Sequence, residues 1–231
     1  MPEIEPQGPA LSLITPRAAA IAGILFALLY GSSYILIQLA IPALSLETND
    51  FSENQAKSIT LGLSFLPFAG IAFLWFMGVI RERMGALEDQ FFSTLFLGSG
   101  LLYIGLTLTA SAVGGGLLSA FASDPDLIAN SDALLLARSI TNRITTIYAI
   151  RMAGMFMIVL GTIWVRTQIM PRWLALITYA SAAVLLISVG FTHWVILVFP
   201  VWVLLISAYI LYLNFLFQKG ELDIEGLTLD E

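Results

Sequence analysis

The stretch TIYAIRMAGMFMIVL, residues 146–160, is apolar enough to form a membrane-spanning helix, yet Arg151 lies within it. An arginine at the centre of such a helix costs about 2.5–3.5 kcal/mol on insertion scales, so ionisable groups there are candidates for function. If the helix begins near Ile144, Arg151 lies roughly 10 Å from its nearer end. This stretch therefore indicates both the fold class and the first candidate site.

The rest of the chain has the same apolar character. Hydrophobic residues make up 58% of it and charged residues 11%, whereas soluble domains average about 45–50% and 25%. About 20 apolar residues are needed to cross the hydrocarbon core of a membrane. We therefore predict an all-α, polytopic transmembrane helical bundle with six spans, at residues 18–44, 59–80, 91–119, 144–165, 173–189 and 194–217.

Two tails flank this single transmembrane domain, residues 18–217. An N-terminal cytoplasmic tail, residues 1–17, precedes it, and an acidic C-terminal tail, residues 218–231, follows it. Before the fourth span, SDALLLARSITNR, residues 131–143, combines an apolar run with two arginines. This outer amphipathic segment is predicted either to lie on the membrane surface or to extend the fourth span beyond it.

Basic residues are distributed unevenly among the connections. If both termini are cytoplasmic, six basic residues lie inside and three outside, and the positive-inside rule therefore predicts N-in, C-in. The inner six are Arg17, Arg81, Arg83, Arg166, Arg172 and Lys219.

Several kinds of chemistry are excluded by the residue inventory. The chain has no cysteine and a single histidine, His193, which removes thiolate sites and leaves little for a histidine metal site. None of the predicted spans contains a carboxylate, which argues against a proton-coupled carrier or an intramembrane aspartyl protease. We predict no catalytic residue, no metal and no cofactor other than a bound lipid or quinone-like amphiphile. The net charge of −6 argues against nucleic acid as a partner.

Candidate ligand-binding residues are those that helical spacing or depth relates to Arg151. Tyr148 shares its predicted face, and similar depths in other spans are reached at Gln38, Ser111 and Trp202. Tyr34 precedes Gln38 by one turn on a polar stripe expected to point into the bundle. The full candidate set is Arg151, Gln38, Tyr34, Ser111, Tyr148 and Trp202.

Two interpretations of Arg151 remain open. In the structural one, its guanidinium binds carbonyls or hydroxyls of neighbouring helices or reaches lipid phosphate. In the functional one, it faces an outward-open pocket and receives an anion or the polar head of an amphiphile. The lack of an acid inside the spans slightly favours a partner from outside the chain.

Three stretches carry a resemblance to a known group: PRAAAIAGILFALLYGSSYIL (16–36), MPRWLALITYASAAVLL (170–186) and LVFPVWVLLISAYIL (197–211). They resemble six-span bacterial membrane proteins of the domain-of-unknown-function type, common in actinobacteria and cyanobacteria. The resemblance covers most of the chain. It implies the bacterial cytoplasmic (inner) membrane or another energy-related membrane, and no established activity or catalytic residues.

These observations give three functional hypotheses. The first is a non-catalytic integral membrane protein, an accessory subunit of a membrane complex or a scaffold that binds a lipid or small amphiphile. Its partners would be the bilayer and other membrane-protein subunits or further copies of the chain. The alternative is a small-solute or anion transporter or channel with Arg151 at the site, and an intramembrane enzyme is the least favoured.

Overall fold

The computed structural model describes residues 14–40, 53–84, 90–123, 132–168, 170–188 and 193–228. Within these ranges the chain is almost entirely helical and contains no strand, which confirms the all-α class. Parts of the predicted tails and spans lie outside the described residues, namely 1–13, 41–44, 131, 189 and 229–231.

Seven α-helices occur in the described ranges: α1 Ile14–Ala40, α2 Glu53–Met84, α3 Gln90–Ser123, α4 Asp132–Arg143, α5 Ile150–Thr167, α6 Arg172–Ile187 and α7 Val198–Thr228. A π-helical turn, Ile144–Ala149, joins α4 to α5, and a 3-10 turn, His193–Leu197, leads into α7. Five helical segments are long and apolar enough to cross a membrane, and α6 is a shorter apolar helix. This is the architecture of a multi-pass integral membrane protein.

Two segments extend the helices beyond the predicted spans, the first by one of the two predicted alternatives. The amphipathic segment forms α4, which continues through the π turn into α5, because Arg143 and Ile150 at the ends of that turn both have right-handed helical dihedral angles. The structure therefore shows the direct extension of the fourth segment. At the other terminus, α7 continues to Thr228, through most of the predicted acidic tail, where Gln, Lys, Glu and Leu favour helix.

The helices pack as a closed ring. Helix α1 contacts α2 and α7, α3 contacts α2 and α5, and α6 contacts α5 and α7. Aromatic side chains from five of these helices fill the centre, and we call them the aromatic core: Phe26, Tyr30, Phe73, Phe76, Phe96, Tyr103, Phe156, Phe199 and Trp202. Phe73 is central, with its ring centroid 4.9 Å from that of Phe26 and 5.5 Å from that of Phe156. In a lipid environment such packing, rather than hydrophobic burial, holds helices together.

Neighbouring helices in the ring run antiparallel. The first residues of α1, α3 and α6 and the last residues of α2, α5 and α7 therefore lie at the same end of the bundle. Arg17 Nε donates to Asn214 Oδ1 at 3.2 Å, which joins the start of α1 to α7. The Arg166 guanidinium lies 4.5 Å from the centroid of the Phe92 ring, which joins the end of α5 to the start of α3. We call this the basic end, because Arg17, Arg81, Arg166 and Arg172 lie there.

Candidate functional site

Arg151 is the second residue of α5 and is half-buried. Its Nη1 donates to the carbonyl of Ile147, one turn earlier, at 3.3 Å. Among the residues that the structure describes, this is the one hydrogen bond of the guanidinium, and no carboxylate there forms an ion pair with it. Since a guanidinium carries several N–H donors in a planar fork, most of its donor capacity is open to a further partner.

The carbonyl that Arg151 binds belongs to the π turn. A π turn pairs residues five apart instead of four, so it shifts the register of the helix, and such turns are frequent at functional sites. The hydroxyls of Thr145 and Thr146 donate to the carbonyls of Thr141 and Asn142, at 2.9 and 2.7 Å. The described bond of Arg151 is to a carbonyl of its own helical segment, whereas the structural interpretation expected a carbonyl or hydroxyl of a neighbouring helix or a lipid phosphate.

The position of Arg151 along the bundle follows from the packing of α5 on α6. A side chain at Gly154 would meet Leu186 Cγ at 3.0 Å, so the two backbones approach closely there. Thr162 hydrogen-bonds Tyr179 at 2.9 Å and belongs to the same contact. Arg151 lies on this face, one turn beyond Gly154. Helix α6 ends one residue after Leu186, so Arg151, about one turn from Gly154, lies near the level at which α6 ends.

Exposed aromatic residues occur at the same end of the bundle. The 3-10 turn before α7 packs against the π turn, and these two turns contribute Trp194, which is 55% exposed, and Tyr148, which is 57% exposed. At the end of α6, the Ser188 hydroxyl donates to the Val184 carbonyl. Tyrosine and tryptophan rings prefer the membrane–water interface. We call Arg151, Tyr148, Trp194 and Ser188 the rim site.

The other sequence candidates lie in three different places. On α1, Gln38 Nε2 donates to Tyr34 Oη at 2.5 Å, so these two residues form a pair with each other. Ser111 is half-buried on α3, whose end opposite the basic end packs on α4 and the π turn. Trp202 is buried in the aromatic core, where its Nε1 donates to Thr178 Oγ1 at 2.9 Å. Tyr34 therefore pairs with Gln38 and Trp202 has a partner in the core, whereas Tyr148 is an exposed residue of the π turn three residues before Arg151.

Buried hydroxyls form a polar feature that the candidate set did not contain. The rings of Tyr30 and Tyr103 have centroids 6.2 Å apart, and the hydroxyls of Tyr30 and Thr107 lie near that of Tyr103. No described atom satisfies hydrogen-bond geometry with the Tyr103 hydroxyl, which is buried. The hydroxyl of Ser33, fully buried on α1, likewise has no partner in this part of the chain. The sequence could have indicated this feature, because Tyr103 and Thr107 are four residues apart and so lie on one face of a helix, which was expected to point into the bundle.

Comparisons of the chain with protein-family models, curated proteins and solved structures find no match. Within the described ranges, no group of three or more acidic or histidine side chains is placed to hold a metal ion.

Proposed function

We propose that this protein is a six-span membrane protein that binds an amphiphile at the rim site and acts as a scaffold or accessory subunit of a membrane complex, without chemistry of its own. In this proposal both termini are cytoplasmic. The gathering of four arginines at the basic end supports that orientation, because cytoplasmic ends of membrane helices are enriched in Lys and Arg. Helix α6 is the fifth of the six spans, although it is shorter than the others.

The observation that carries the proposal is the state of the Arg151 guanidinium. It is half-buried, it uses one donor on a carbonyl of its own helix, and it lies at the end of α6 beside exposed aromatic residues. A charged group inside a membrane is stable only when it is paired or hydrated. No acid in the described ranges pairs with it, which is compatible with a complementary negative or polar group on another molecule.

Transport of an anion is the second candidate, and the same guanidinium would supply its binding site. A route from Arg151 to the basic end through the centre of the ring would have to cross the aromatic core. There Phe73, Phe156 and Phe199 are at most 1% exposed and lie in mutual contact, with ring centroids 5.5 to 5.9 Å apart. This packing favours binding over passage.

The test is extraction of the full chain from its native membrane in a gentle polymer, followed by mass spectrometry of the proteins and small molecules that co-purify. Arg151→Met is compared with wild type and with Arg143→Met, a control that removes an exposed arginine of α4. We expect an amphiphile in wild type and in the control, and its loss from Arg151→Met. Retention of the amphiphile in all three, or flux across vesicles that needs Arg151, would contradict the proposal.

Orientation is tested separately, because the chain has no cysteine and single cysteines can be introduced cleanly. Asn142 in α4 and Glu82 near the close of α2 are both exposed and lie at opposite ends of the bundle. A membrane-impermeant thiol reagent should label Asn142→Cys in intact cells and Glu82→Cys only after lysis. The reverse pattern would overturn the N-in, C-in assignment.

A further inference from the structure

Helix α6 is short for a membrane span. Its 16 residues, at 1.5 Å per residue, cover about 24 Å, whereas the hydrocarbon core is about 30 Å thick. A span shorter than the bilayer is accommodated by local thinning or by polar residues that extend to the interface. The described parts of the other spans comprise at least 23 residues each, so this mismatch is confined to the α5–α6 side of the ring.

The short helix ends where the rim site begins. Arg151 is level with the end of α6, and Tyr148 precedes it by three residues, or about 4.5 Å along the helix. If the exposed rings of Tyr148 and Trp194 lie at the membrane–water interface, then the lipid headgroups on this side lie at the level of the Arg151 guanidinium. An arginine that would be deep in a bilayer of full thickness is thereby placed at the level of lipid phosphates.

From this geometry we infer that the rim site binds the phosphate group of a lipid, drawn from the leaflet opposite the basic end, where the end of α6 thins the bilayer. This inference rests on the proposed function and names the chemistry of the amphiphile. A guanidinium binds phosphate through two parallel charge-assisted hydrogen bonds. The Tyr148 hydroxyl and the Trp194 indole N–H are further donors at this end. Ala183, Val184 and Ile187 present an exposed apolar surface on α6 for the acyl chains.

A phosphate fits this site better than a carboxylate. Both a phosphodiester and a carboxylate offer two charged oxygens with lone pairs to spare, so the level of the guanidinium in the headgroup layer, and not the number of oxygens, favours phosphate. A free phosphate ion would offer the same oxygens, but it would leave the apolar surface of α6 unused. The two sources of phosphate, lipid and ion, are therefore separable by experiment.

The binding test uses the purified, delipidated full chain in detergent, titrated with a short-chain phosphatidylglycerol, with inorganic phosphate and with a fatty acid. We expect saturable binding of the phospholipid that weakens by about tenfold or more in Arg151→Met, because a charge-assisted pair is lost. Arg143→Met should bind as wild type does. Arg151→Lys, which keeps the charge and loses the fork, should be intermediate.

Equal binding of inorganic phosphate would overturn the lipid assignment, and equal binding of the fatty acid would overturn the phosphate assignment. If none of the three binds while native extraction still yields an amphiphile that depends on Arg151, the phosphate inference fails and the proposed function stands. If extraction yields no such amphiphile either, both fail.

The local thinning is tested in reconstituted bilayers with spin labels on the lipid-facing side of α6. Labels at Ile187→Cys and Ala180→Cys are both on exposed positions, one at the end of the helix and one near its middle. A water-soluble relaxation agent should reach the label at 187 and not the one at 180. Equal protection of both labels would show that the bilayer keeps its full thickness over the end of α6, against the inference.

Discussion

The rim site and the aromatic core differ in the charge and the burial of their polar groups. At the rim, a permanently charged guanidinium is half-buried and bonds a carbonyl of its own helix. In the core, neutral groups are fully buried, and Trp202 on α7 reaches across to Thr178 on α6. A charge in hydrocarbon costs far more than an amide or hydroxyl. Among the residues whose burial the structure describes, the fully buried polar side chains are neutral.

The largest loss of stability is expected from removing a ring from the aromatic core. Phe156 is fully buried, and its ring contacts those of Phe96, at 4.7 Å between centroids, and Phe73. Phe156→Ala should lower the free energy of unfolding by about 3–5 kcal/mol, because it leaves a cavity among rigid rings. Denaturant titration in detergent micelles measures this. Leu176→Ala, on an exposed position of α6, is the control and should change little.

A loss below about 1 kcal/mol for Phe156→Ala would show that the centre of the ring is loosely packed. The aromatic core would then no longer block an anion path, and the transport candidate would gain support.

A somewhat smaller loss of stability is expected from adding a side chain where two helix backbones approach closely. A Cβ on Gly23 of α1 would overlap Ser207 Oγ on α7 and would lie 2.8 Å from Phe76. Gly23→Ala should therefore cost about 1–3 kcal/mol of stability, as overpacking does. Gly31→Ala on the same helix has open space around it and should be neutral or slightly stabilising, since alanine favours helix. If both variants behave alike, α1 and α7 do not cross closely at Gly23.

The hydrogen bond between Trp202 and Thr178 should contribute less than ring packing. Trp202→Phe and Thr178→Val each remove one partner, and each should lower stability by about 1 kcal/mol beyond any change in packing. Because the two side chains form one contact, the double variant should lose less than the sum of the single losses. Additive losses in the unfolding titrations would show that the bond is not formed in the folded bundle.

Much of the fold was predictable because apolar runs of membrane length leave few alternatives to helix. Five long apolar helices and the short α6 lie where those runs are. The predicted face of Arg151 was less reliable, since it assumed a regular helix from Ile144. The π turn shifts the register before α5 begins, and nothing in the letters ITTIYA marks a π turn.

Contacts between helices were the part that the sequence could not supply. Gln38 and Tyr34 are four residues apart, so helical spacing alone brings them together. The partners Trp202 and Thr178 are 24 residues apart on different helices, and their meeting depends on how the ring closes. Apolar surfaces permit many such packings. Trp202 was predicted as a ligand-binding residue from its depth in the membrane alone. The sequence could not show that its indole nitrogen forms a hydrogen bond in the core.

The smallest change in stability is expected from removing the Tyr103 hydroxyl. It is buried in the aromatic core and has no described partner in hydrogen-bond geometry. Tyr103→Phe keeps the ring against Phe199, 4.6 Å away between centroids, and removes only the oxygen. Since an unpaired buried hydroxyl costs stability, the variant should be neutral or more stable by up to about 1 kcal/mol. Thr107→Val, which removes a hydroxyl that donates to the Tyr103 carbonyl at 2.9 Å, is the paired control and should not be stabilising. A clear loss of stability in Tyr103→Phe would mean that the hydroxyl is hydrogen-bonded in the folded bundle, either to the nearby Tyr30 or Thr107 hydroxyl or to another molecule.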